Sequence, residues 1–116
     1  MKLVPLSSII KTYFSSKVSA GETAELVNVK IPKPYVGFIY KIANSWYPNT
    51  FLKFIIDGEL VEILKMRRDI TNPLEYEPPI VVKHSIKVIV VNNSSEDHYF
   101  EFWVDGVGAE EEARVL

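Results

Sequence analysis

Between residues 23 and 31 the chain reads TAELVNVKI, in which Ala24, Leu26, Val27, Val29 and Ile31 supply an apolar side against intervening polar residues. Alternation of this kind is the pattern of a β-strand with one face in a core. The rhythm returns in VGFIYKIA (36–43), FLKFIID (51–57), ELVEIL (59–64), IVVKHSIKVIVVNN (80–93) and HYFEFWVDG (98–106). β-branched and aromatic residues dominate these runs and turn residues interrupt them at short intervals, which predicts antiparallel sheets, eight or so strands and little helix. SAGE (19–22) and SSED (94–97) read as turns, and PKPY (32–35) as a break, because Pro32 and Pro34 have no N–H for a sheet ladder. Asp57-Gly58 predicts a tight hairpin between 51–56 and 59–64, since both residue types tolerate positive φ. Residues 66–79 are too long for a hairpin and predict a crossing from one sheet to another. Residues 6–16 leave two readings open: a first strand, from the alternation of Ile10, Thr12 and Phe14, or a short helix.

One phrase occurs twice. FLKFIIDG (51–58) and YFEFWVDG (99–106) both set a single charge among apolar residues and end in Asp-Gly. Each follows an apolar strand that ends near Asn-Ser, GFIYKIANS (37–45) and IKVIVVNNS (86–94). Two comparable halves fit a two-sheet antiparallel β-sandwich with jelly-roll or Greek-key topology. A single domain over 1–107 is expected, followed by an acidic tail, 108–116, that is either disordered or a short helical turn.

Strand parity sorts these runs into faces. Leu52, Phe54, Ile56, Phe100, Phe102 and Val104 point inward, while Phe51, Lys53 and Ile55 share one outer side and Tyr99, Glu101 and Trp103 another. If the two strands are neighbours, Lys53 and Glu101 pair across the sheet. A charge ringed by large apolar groups has three readings: a face covered by another segment of the chain, a subunit interface, or a ligand platform.

Composition narrows the function. The 116 residues are 47% hydrophobic and 24% charged, a globular balance with room for one core. A net charge of −2, with KMRR (65–68) as the one basic cluster, gives no electrostatic reason to bind nucleic acid. No run approaches the roughly 20 apolar residues of a membrane span, and MKLVPLSSIIKTYF lacks the form of a signal peptide, so a cytoplasmic or virion-packaged soluble protein is expected. The absence of glutamine, the scarcity of methionine and the wealth of Ile, Val, Lys and Glu fit heat adaptation. Without cysteine, disulfides, thiolate metal sites and a thiol nucleophile are excluded.

Enzymatic signatures are weak. Two histidines, His84 in a strand and His98 at the start of another, support neither a hydrolase triad nor a zinc site. The glycines form no phosphate loop, and Glu59 with Glu62, or Glu75 with Glu77, fit a solvated surface better than a glycosidase cleft. Asp57 and Asp105 are isolated carboxylates, poor calcium ligands. A non-enzyme without cofactor or metal is expected. The best ligand candidate is the loop NSWYPNT, where Trp46 and Tyr47 beside Asn44 and Asn49 suit stacking against a sugar or gripping a protein, with Tyr76 joining if the loops meet. The alternative for Trp46 is a cap on the core.

The succession AGETAELVNVKIP, YVGFIYKIA, FLKFIIDGE and PPIVVKHSIKVIVVNNSSEDHYFEFWVDG, spanning about residues 19–107, resembles small β-sandwich and jelly-roll modules of viral and phage virions: capsid, decoration and tail-associated proteins. The resemblance lies in the strand rhythm and a late I-x-V-x-V-x-N strand followed by an aromatic strand ending V-D-G. It implies a non-enzymatic structural protein that forms a symmetric homo-oligomer or binds other virion proteins. A carbohydrate-binding module, using the loop 44–50, is the rival. The interface expected for assembly is Phe51, Lys53, Ile55, Tyr99, Glu101 and Trp103.

Overall fold

A computed structural model describes residues 2–111. In chain order the strands are β1 (Leu3–Pro5), β2 (Tyr13–Val18), β3 (Thr23–Lys30), β4 (Tyr35–Asn44), β5 (Thr50–Ile56), β6 (Glu59–Leu64), β7 (Leu74–Val82), β8 (Ser85–Asn92) and β9 (His98–Glu110). A single 3-10 turn, Leu6–Ser8, lies between β1 and β2, so residues 6–16 hold both a helical turn and the start of a strand. In the first sheet the order is β2, β9, β4, β7, with β1 continuing along the same edge of β9 beyond β2; in the second it is β3, β8, β5, β6. Every pairing is antiparallel. The order 2-9-4-7 facing 3-8-5-6 is that of a jelly roll, two interlocked Greek keys. The doubled phrase marks these keys: β4 crosses to β5 and β8 crosses to β9, while β4 pairs with β9 and β8 with β5.

The core forms as parity demands. Leu52 and Phe54 from β5, Val88 and Val90 from β8, and Phe100 and Phe102 from β9 have no exposed surface. Each such side chain contributes on the order of 1.5–3 kcal/mol by leaving water. In β3 a bulge between Glu25 and Val27 resets the alternation, which is how Leu26 and Val27 both meet apolar surroundings. The two-residue turn between β5 and β6 holds Asp57 at φ 51° and Gly58 at φ 83°. The connection 66–79 does cross between sheets, and its second half is the edge strand β7. Pro78 and Pro79 sit there between two stretches of regular pairing with β4, at an irregularity of the ladder where a missing N–H costs least.

Several expectations change. The apolar run 80–93 is two strands in different sheets, with a corner at Lys83-His84, so His84 is not within a strand. Three successive polar residues, Lys83 to Ser85, interrupt the alternation and let the chain turn. Asp57 secures that corner: its carboxylate accepts the backbone N–H groups of Lys83 (2.9 Å), His84 (2.7 Å) and Ser85 (2.9 Å). Burial alone would raise its pKa, but these three donors outweigh it and hold the carboxyl below the usual carboxylate range. Asp105-Gly106 forms no turn. It lies inside β9, opposite an irregularity of β4 between Ile39 and Lys41, where a Cβ on Gly106 would collide with the Phe38 carbonyl. Lys53 and Glu101 do not pair, because β5 and β9 belong to different sheets. β9 also continues through Glu110, past the expected domain boundary at 107, and residues 112–116 of the acidic tail lie outside the described residues.

Candidate functional sites on the two outer faces

The aromatic loop between β4 and β5 is turned mostly to its own structure. The Trp46 indole N–H donates to the Thr50 carbonyl (2.9 Å), and the Thr50 hydroxyl donates to the Tyr47 carbonyl (2.7 Å). The Tyr47 ring stacks on His98 at 3.9 Å and meets Phe100 edge-on, and its hydroxyl donates to the Tyr99 carbonyl (2.8 Å). Asn49 takes φ 62° in the turn and is exposed. Tyr76 leans on Phe54, 6.4 Å between ring centres, with its hydroxyl buried and without a partner among the described residues. Burial, then the nearby Glu62 carboxylate, push that phenol well above its ordinary pKa. The connection 66–79 does meet the end of β4, but at Asn44: its backbone exchanges two hydrogen bonds with Arg68 (2.7 and 3.0 Å) and its Nδ2 donates to the Met66 carbonyl (3.1 Å).

The expected interface residues divide between opposite outer faces. Phe51, Lys53 and Ile55 lie on the second sheet in a cross-strand pattern that sequence alone could not assemble. Phe51 faces Val91, Lys53 lies between Ile89 and Ile63, and Ile55 lies between Lys87 and Leu60. Leu60 and Ile63 are 54% and 44% exposed, and among the described residues no element packs over this face. β6 also forms the outer edge of its sheet, with a bulge at Val61.

Tyr99, Glu101 and Trp103 lie on the first sheet, whose outer face is more polar. Lys41 approaches Asp105 (3.8 Å) and places its ammonium 5.9 Å from the centre of the Trp103 ring. Across the sheet run Tyr13, Trp103 and Ala43 in register. The step from tryptophan to alanine leaves a hollow, and Arg67, Arg68 and Ile70 from the connection wall it to give a cavity of about 210 Å³. Tyr13 donates its hydroxyl to Glu101 Oε2 (2.5 Å), and this bond, then the desolvation and charge beside it, raise the phenol pKa. The Asp69 carboxylate is occupied by its own loop, accepting from the Thr71 hydroxyl (2.7 Å) and the backbone N–H groups of Thr71 and Asn72, which hold its pKa down.

Thus Asn44, expected in a ligand site, and Glu101 and Trp103, expected in an interface, line one cavity. Tyr13, Ala43, Arg67 and Arg68 were not singled out as its partners. KMRR was visible as a basic cluster, and Ala43 as a small residue in a bulky strand, but their meeting depends on register. Among the described residues no three His, Asp or Glu side chains converge as metal ligands, and no helix is long and apolar enough to cross a membrane. Comparison of the chain with protein-family models and with curated proteins finds no match.

Proposed function

We propose that the chain is a non-enzymatic structural or assembly module that forms a symmetric homo-oligomer, of the kind found among capsid, decoration and tail-associated virion proteins. The uncovered face of the second sheet carries this reading. Phe51, Ile55, Leu60, Ile63, Ile89 and Val91 are too apolar together to be a typical solvated sheet surface. The face also carries charges that can fix the register of a partner: Lys53 and Lys87 lie in its middle, and Glu25, in register with Ile89, lies at the β3 rim. Symmetry then reuses one patch in both subunits. The jelly-roll strand order serves many functions, so the reading rests on the uncovered face.

Ile55→Glu tests the reading, because its side chain leaves the core untouched. Light scattering after size-exclusion chromatography should find an oligomer for the parent at micromolar concentration and a folded monomer for the variant. A parent that is monomeric under these conditions contradicts the proposal. Trp103→Glu, on the opposite face, should remain oligomeric.

A further inference from the structure

We propose that the hollow over Ala43, between Trp103 and the 67–70 wall, is a binding site for one neutral sugar ring. The inference is independent of self-association, since the cavity opens on the opposite sheet. Its shape comes from the Tyr13–Trp103–Ala43 row, in which two aromatic groups stand beside a methyl group. An indole offers a flat apolar surface to the C–H face of a pyranose, while the rim must satisfy its hydroxyls. The rim has both kinds of partner. Glu101 keeps Oε1 as an acceptor while Tyr13 holds Oε2, and neither Arg67 nor Arg68 is in an ion pair among the described residues, so both guanidinium groups are available as donors.

Charge and size select the ligand. Two arginines are offset by two carboxylates, Asp69 and Glu101, so an anion gains little net attraction. At about 210 Å³ the cavity is smaller than the roughly 300–1,000 Å³ of sites that enclose drug-sized molecules, which fits one ring with its neighbours in solvent.

Asn44, in register with buried Phe102, shares its inward parity, so its buried side chain braces the cavity from beneath, with Nδ2 serving the carbonyls of Ser45 and Met66. The wall is preformed, because Arg68 is bonded through its backbone to Asn44 and Asp69 closes its own loop.

The chain has two tryptophans, so their indole N–H signals in a nitrogen–proton correlation spectrum report separately on the cavity and the aromatic loop. Titration of the full chain with methyl glycosides of glucose, galactose and mannose should move the Trp103 signal and leave that of Trp46 in place. Arg67→Ala, an exposed substitution, should weaken that binding about tenfold or more, the effect of losing a hydrogen bond from a charged donor. Trp103→Ala should abolish binding while the Trp46 signal stays unchanged, which also reports that the fold is intact. The proposal is overturned if no glycoside moves the Trp103 signal, if only Trp46 responds, if Arg67→Ala binds as well as the parent, or if inorganic phosphate or methyl glucuronide binds more tightly than the neutral glycosides.

Discussion

Asn44 ends β4 and Asn92 ends β8, at corresponding points of the two Greek keys, and the chain uses them differently. The Asn92 amide donates to the carbonyls of Val18, Ser19 and Glu96 and accepts from the Ser94 backbone N–H and hydroxyl, so its hydrogen-bonding capacity is met within a fully buried corner. Asn44 binds the distant connection at Met66 and Arg68 and leaves an acceptor unused among the described residues. The strands that follow diverge in the same manner. β5 ends in the tight Asp57-Gly58 turn and shows an apolar face, whereas β9 runs on through Asp105-Gly106 and shows a polar face with a hollow. Similar sequences share an inner face because the core imposes the same demand on both. Their outer faces are free to differ, and each proposed activity lies on one of them.

The glycines give the largest contrast. Gly106→Ala sets a methyl group against the Phe38 backbone and should cost about 4 kcal/mol or more, with loss of cooperative folding the extreme outcome. Gly58→Ala meets no atom but keeps φ near 83°, and should cost about 1–2 kcal/mol. Urea denaturation measures both, and equal losses would remove the distinction between strand and turn.

The asparagines come next. Asn92→Ala strands several buried groups and should destabilise by about 2–3 kcal/mol, against about 1 kcal/mol for Asn44→Ala, whose amide satisfies fewer. A larger loss at Asn44 would mean that it, rather than Asn92, is the principal corner brace.

The aspartates sharpen the comparison through pH. The Asp57 carboxyl is held low in the folded protein, so the stability it adds is complete above its unfolded value of about 4 and is lost as pH falls through the lower folded value. Asp57→Asn should therefore cost about 1–2 kcal/mol at neutral pH and flatten the acid limb of a melting-temperature profile. Asp105→Asn breaks one surface pair with Lys41 and should cost at most about 1 kcal/mol. An unchanged acid limb in Asp57→Asn would contradict the role assigned to the carboxylate at the β7–β8 corner.

Strand rhythm made much of this architecture legible. Parity placed Leu52, Phe54, Phe100 and Phe102 inside, and Asp57-Gly58 marked its hairpin, because both signals are local. The same dipeptide at 105–106 was ambiguous, since glycine also serves a close approach between strands, and Phe38 lies far away in sequence. The break at Lys83-His84 was hidden because Val82 and Ile86 keep the same parity across it. Least legible was the cavity. Tyr13, Ala43, Arg67 and Trp103 come from four separate segments, and a one-residue shift in the register of β2 or β4 would disperse them. The two outer faces were legible as faces, but Lys53 and Glu101 could be put on opposite sides of the sandwich only once the sheet order was known.

Self-association through the second sheet is tested most directly by distance. The chain contains no cysteine, so single cysteines can carry spin labels without background. Asn28 lies at the rim of the proposed contact, in register with Lys87, and Ser15 lies on the outer face of the first sheet, in register with Glu101. Sheets packed face to face lie about 10 Å apart, so Asn28 labels should couple between subunits at a shorter distance than Ser15 labels, which have both sandwiches between them. Dipolar electron resonance should show that order, and its disappearance when Ile55→Glu is added. Shorter Ser15 distances, or no coupling between subunits at either position, would contradict the assembly face.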